Sequence, residues 1–236
     1  MQQACRYFLF FATLISAAAQ TPLSYETRGD IYMARKMYRE AIDMYRQGAP
    51  NSAVLANKIG IGFHQMTQLR LAMKNYERAI KLDSKYPEPV NNLGTIYYAQ
   101  KDFNRAIKCY KRALRRDPQS ASVYSNLGAA YFGERQYKLA TAAYQRAVQL
   151  DPNVLEAHGS YGTLMLERSV EDRANFDLYM AEMYAGLGDK ERVLLYLRKA
   201  MEEGIRKQKI VGMSQFAGLK GDPAFLELLA ENPKPL

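Results

Sequence analysis

Tryptophan is absent from this chain of 236 residues, and cysteine and histidine occur only twice each. Cys5 precedes the first apolar run and is not placed as a lipid-anchor cysteine, which leaves Cys109 as the one thiol beyond it. A single thiol cannot staple a domain internally, so stability has to come from core burial. Cys109 itself, beside Tyr110, reads as a small packed side chain more readily than as a reactive thiol. One cysteine with the distant His64 and His158 makes no zinc pattern, and no metal or other cofactor is expected. Glycine-rich phosphate loops are also missing, since Gly186 and Gly188 read as an interhelical turn. Neither HExxH nor GxSxG occurs. The acid pairs Glu171-Asp172 and Glu202-Glu203 are chain neighbours, which point away from each other on a helix. Nothing here assembles an active site, and the chain reads as a non-enzyme.

Linkers rich in Ser, Gly or Pro are missing as well, so nothing divides the chain into unrelated domains. The one long apolar run is "YFLFFATLISAAA", with Arg6 before it and small residues to Ala19 at its end. That is the layout of a secretory signal peptide over residues 1–19. Roughly 13 apolar residues fall short of the about 20 that a membrane span needs, with an uncleaved anchor as the rival reading. The expected location is therefore outside the cytoplasm of a bacterium, in the periplasm or secreted. The formal charge is +9, one less without Arg6. Such a balance suits an acidic partner or an anionic surface, or simply keeps the protein in solution.

What the chain does have is repetition. "NNLGTIYYAQKDFNRAIKCYKRALRRDP", from Asn91, is answered 34 residues later by "SNLGAAYFGERQYKLATAAYQRAVQLDP", from Ser125. Asn, Leu, Gly, Tyr, Ala, Tyr, Arg, Ala, Asp and Pro recur in register, from Asn92/Asn126 to Pro118/Pro152. A step of 34 backwards meets Gly60, Phe63, Ala72, Tyr76 and Ala79, and a further step of 31 meets Gly29, Tyr38, Ala41 and Tyr45. The first unit is thus three residues short in its closing connection. Within a unit, Leu93, Gly94 and Tyr97 lie three and four apart on one helical face. Phe103, Ala106, Tyr110 and Ala113 mark a second helix with one buried stripe. Gly94, Ala106 and Ala113 let the axes approach, while the aromatic rings fill the space between. Asp117-Pro118 ends the pair. One such pair cannot cover its own apolar face, so neighbours must stack.

These letters resemble the tetratricopeptide repeat, whose period is about 34 residues. The resemblance implies an all-α, right-handed superhelical solenoid of antiparallel helix pairs, with about five to six repeats and a C-terminal capping helix. The array is expected over 20–204, with units at 22–52, 53–86, 87–120, 121–154, a degenerate 155–173, and 174–204. Residues 205–236 form the cap, with Asp222 capping a short helix whose Phe225, Leu228 and Leu229 cover the end of the stack. "GLGD" favours helix 174–186 as the opener of the sixth unit, although it could close the fifth.

In this family the face of each first helix opposite the core lines a concave groove that takes extended peptides. Here that implies Asn57, Ile61, His64, Asn91, Thr95, Tyr98, Ser125, Ala129 and Phe132, a surface with amides and little charge. Next to it stand Lys58, Asn92 and Asn126. In some members a ladder of asparagines at this place holds the peptide backbone, for which an amide offers both a donor and an acceptor. The alternative is that these amides bond to the neighbouring helix. The carboxylate clamp known in the family needs more Lys, Arg and Asn than Asn57 and Lys58 provide.

The second helices carry the positive charge, most densely at Lys108, Lys111, Arg112, Arg115 and Arg116. As a convex ridge they could hold nucleic acid, lipid head groups or an acidic partner. They also read as a solvated face, with no aromatic platform among the charges. The sequence therefore points to a non-catalytic scaffold that binds an extended segment of another protein or an assembly subunit. The alternative is an adaptor for anionic polymers or membrane surfaces through the basic ridge. A small-molecule substrate is not expected. Export argues against nucleic acid, and membrane contact is expected only if the leading segment is retained.

Overall fold

A computed structural model describes residues 23–48, 50–155 and 169–231. The leading segment 1–19 and nearly all of the degenerate unit 155–173 up to Arg168 lie outside the described residues. Eight helices come first, in four pairs: α1 (Tyr25–Ala34) and α2 (Tyr38–Gln47), α3 (Ala53–Gln65) and α4 (Leu69–Leu82), α5 (Glu88–Ala99) and α6 (Phe103–Leu114), α7 (Ala121–Gly133) and α8 (Tyr137–Leu150). Then come α9 (Val170–Leu187), α10 (Lys190–Glu202), α11 (Lys207–Gly212), a 3-10 turn at Ser214–Leu219, and α12 (Pro223–Glu231). Each second helix packs on its partner and on the first helix of the next unit, so the order in sequence is the order in space.

Local chemistry sets the helix starts. Ser24, Ser52, Asp102, Ser169 and Asp189 each accept a backbone N–H from the first turn of the helix they precede. The turns between paired helices repeat one backbone solution. Lys36, Thr67, Lys101 and Arg135 all adopt left-handed φ values of 58 to 60°. That region disfavours side chains, and a β-branched one most of all. Replacing Thr67 by Gly should therefore raise stability by about 1 kcal/mol, read from the urea midpoint.

The repeated aromatic of the second helix fills the unit. Tyr45, Tyr76, Tyr110 and Tyr144 are all buried, each against the glycine of its partner helix. Helix 174–186 of the sequence reading begins earlier, at Val170, and runs for 18 residues until Gly188 adopts a left-handed φ of 75°. It pairs with α10 as closely as α3 pairs with α4, and it also lies on α8. One helix thus pairs with α10 and also packs on the last helix of the fourth pair. At the far end Asp222 accepts the N–H groups of Ala224 and Phe225 at 3.0 and 3.2 Å. Phe225 and Leu228 are buried, and α12 packs on α10.

Candidate peptide-binding face

The first helices α3, α5 and α7 touch in turn, which lines up the asparagines of successive units. Asn92 donates through Nδ2 to Oδ1 of Asn57 at 3.0 Å, and Asn126 donates in the same way to Asn91 at 3.0 Å. Asn57, 3% exposed, also donates to the Tyr86 hydroxyl at 3.3 Å. Of the two readings left open, bonding to the neighbouring helix is what is observed. The amides pair across units because each partner is offset by one repeat plus one residue, which places the two side chains on facing helix edges. Buried amides left unpaired would be expensive.

The pairing leaves capacity unused. Asn91 Nδ2, Asn92 Oδ1 and the second N–H of Asn92 have no partner among the described residues. All belong to half-buried side chains that line a cavity of about 340 Å³. Asn57 and Ile61 line it from α3, and Val123 with Ser122 from α7. Pro87, Glu88, Asp117 and Ser120 complete its wall, none of them assigned to the groove from the sequence. The Asp117-Pro118 stop signal was the available clue. The connection it forms folds back beside the first helices, so a turn residue becomes a wall residue.

Other expected groove positions lie elsewhere. Tyr98 is 6% exposed and Phe132 1%, so neither ring lines an open surface. Tyr98 packs edge-on against Phe103 at 5.3 Å, and Phe132 meets Tyr137 at 5.2 Å and Phe176 of α9 at 5.1 Å. Ala129 and Ser125 are likewise buried. Thr95 is half-buried, donates to the Asn91 carbonyl at 3.2 Å and meets the Tyr110 hydroxyl. His64 is half-buried with Nδ1 3.4 Å from the Tyr76 hydroxyl, and burial holds its imidazole below the ordinary value.

Lys58 is not available as a clamp residue. Its ammonium pairs with Glu26 at 2.8 Å and Asp30 at 2.7 Å and stands over the Tyr45 ring at 5.8 Å. Burial works against its charge, but hydrogen bonds to Asp30 and Glu26 outweigh it and raise the ammonium above its ordinary value. The Tyr45 hydroxyl donates to the same Asp30 at 2.8 Å.

On the basic ridge, tertiary packing supplies the aromatic platforms that the sequence of α6 lacks. Lys111 stands over Tyr131 at 5.3 Å, and Arg105 over Tyr97 at 4.6 Å, with both rings coming from first helices. Lys108 and Arg115 are exposed, while Arg112 and Arg116 are half-buried. Arg116 has a buried Nη1 with no hydrogen bond among the described residues; burial, then Arg112 and Arg115, push its pKa below the ordinary value. Burial also pushes the Cys109 thiol up, against the pull of Arg112 and Arg105, so the thiolate is disfavoured. Among the described residues no three His, Cys, Asp or Glu side chains group as a metal site would, and no helix is long and apolar enough to cross a membrane.

Residues 63–101 and 94–133 match the family described as TPR repeat, and residues 121–154 match that described as tetratricopeptide repeat. No curated protein matches the chain. Among solved structures, a crystal structure of MamA is 20% identical, with 77% of this chain and 96% of that one covered at a TM-score of 0.51. MamA from Desulfovibrio magneticus RS-1, residue 41 to the end, is 19% identical, with 76% and 92% covered at a TM-score of 0.52. MamA AMB-1 is 18% identical, with 77% and 98% covered at 0.52. The fold is the expected all-α tetratricopeptide solenoid, and at these identities the likeness shows the fold alone.

Proposed function

Because residues 63–154 are tetratricopeptide repeats by sequence and lie within a solenoid of that type, we propose that the chain is a non-catalytic interaction scaffold. Its face of first helices takes an extended segment of another protein. The observation that carries this reading is the cavity of about 340 Å³, where Asn91 and Asn92 keep free donor and acceptor capacity. A peptide backbone unit needs one of each. Ile61 and Val123 supply apolar wall, and Glu88 with Asp117 place negative charge at the same opening. The segment it fits best therefore inserts a side chain that is cationic or rich in N–H donors.

A peptide selected against the whole chain by display provides the probe. Asn92→Ala should weaken it at least about ten-fold, and so should Ser122→Phe, which fills the cavity and leaves the amide pairs untouched. Affinity unchanged in both variants, with wild-type helical signal retained, removes the reading.

A further inference from the structure

A second opening lies on the side of the second helices. α2 and α4 both pack on α3, but they are unequal, with 10 and 14 residues. The first repeat is short in its closing connection, so α2 stops at Gln47 while α4 continues about one turn beyond the matching position. The space between them is a cleft of about 660 Å³. Its base is apolar: Ile59 and Phe63 of α3 are only 5% and 7% exposed, and Leu71 of α4, 42% exposed, supplies most of the accessible apolar area of the three.

The walls carry four cations, Arg46, Lys74, Arg78 and Lys81, against the single acid Glu77. Most of that charge is uncompensated. Lys74 and Lys81 are exposed and form no ion pair among the described residues. Arg78 donates to a neutral group, the Pro50 carbonyl. Arg46 reaches Asp43 only at 3.4 Å, with both side chains more than half exposed, and its guanidinium stands over the Phe63 ring at 5.7 Å. Charges of one sign around a recess with low-dielectric walls focus the field into it.

We propose that the cleft between α2 and α4 docks an acidic amphipathic helix of a partner protein. The apolar stripe of that helix lies on exposed Leu71, above the base formed by Ile59 and Phe63, and its carboxylates face Arg46, Lys74, Arg78 and Lys81. From Leu71 to Lys81 the wall is about 15 Å long, at 1.5 Å per helical residue, which accommodates roughly three turns of a guest helix. The combination of floor and rim selects this class of occupant. A phosphate chain would gain nothing from exposed Leu71 and the apolar floor, and a flat bilayer would rest on the two helices without reaching into the recess. The site is independent of the amide-lined cavity, which opens on the other helix layer.

The probe is a fluorescein-labelled helical peptide of roughly 14 residues, with Leu at i, i+3, i+4 and i+7 and Glu on both flanks. Controls are the same composition with the Leu stripe scrambled, phosphatidylserine vesicles and a DNA duplex. Anisotropy with the whole chain should show binding that weakens at least about ten-fold in the Lys74→Glu/Lys81→Glu variant. It should weaken at least about three-fold in Leu71→Ser and stay unchanged in Asn92→Ala. All substituted positions but Asn92 are exposed, and circular dichroism checks that each variant folds. No binding, equal binding of the scrambled peptide, or indifference to Lys74→Glu/Lys81→Glu overturns the proposal. Vesicles or DNA that bind as well as the peptide, with no effect of Leu71→Ser, overturn it in favour of a general anion site.

Discussion

Asp177→Asn is expected to remove most of the loss of stability that the wild type suffers between about pH 4 and 7. Asp177 lies on α9, hydrogen-bonded to Glu203 just beyond the end of α10, and its pKa is raised to about 7. Burial is the first cause and the Glu203 charge the second, with Lys199 and Arg173 pulling the other way. The local bonding explains the proton. Arg173 Nε donates to Glu203 Oε1 at 2.7 Å, whereas Oε2 is buried and meets no N–H donor among the described residues. A protonated Asp177 can donate to the Glu203 carboxylate, which an ionised one cannot. The folded chain then holds a proton at Asp177 that an unfolded chain, with an ordinary carboxylate pKa, releases near pH 4. Stability from this group is full below that pH, falls as pH rises through about 7, and levels off above. The gap corresponds to about 2–4 kcal/mol. In the Asp177→Asn variant the side-chain amide would keep a donor toward Glu203 without titrating. Urea unfolding across pH 4 to 8 should give curves that converge at the acid end and separate by that amount at pH 8. Parallel curves for the two proteins would refute the assignment.

Gly94→Ala should destabilise the chain by about 1–3 kcal/mol, although alanine is the better helix former. A Cβ at Gly94 would stand 2.7 Å from Tyr110 Cε1 and 3.1 Å from Cys109 Cβ. The ring is 2% exposed, so it cannot retreat without breaking packing on both sides. Gly186 in α9 provides the comparison, since nothing among the described residues lies within 4 Å of its added Cβ. There Ala should be neutral or stabilising by up to about 1 kcal/mol. Equal urea midpoints for Gly94→Ala and the wild type would show that the helices can move apart, and the close-packing argument would fail.

Much of the fold was legible because a repeat writes its core many times. Gly94 with Tyr110 and Gly128 with Tyr144 are local pairs within one helix hairpin, so their spacing in sequence fixes their contact in space. The candidate site was legible only in part. Asn57, Asn91 and Asn92 do gather at one cavity, yet Tyr98 and Phe132, assigned to the same open face, are buried. A helical face is open only while no later segment covers it, and Phe176 on α9 meets Phe132 from a helix that begins at Val170. Asp117 was missed for the related reason that turn residues carry no helical period, and Glu88 because it stands at the first position of α5, ahead of the periodic stretch.

The sequence by itself determined the pairing of helices, the close contacts of glycine with tyrosine, and the excess of cations on the second helices, since each follows from spacing within about one repeat. Tertiary structure decided which faces remain open and which charges stay uncompensated. It set Lys58 between Glu26 and Asp30, Lys111 over Tyr131, and Asp177 beside Glu203, while Lys74 and Lys81 at the α2–α4 cleft form no ion pair among the described residues. Charge and accessibility depend on neighbours brought in from other units, and a chain's local spacing carries no record of them.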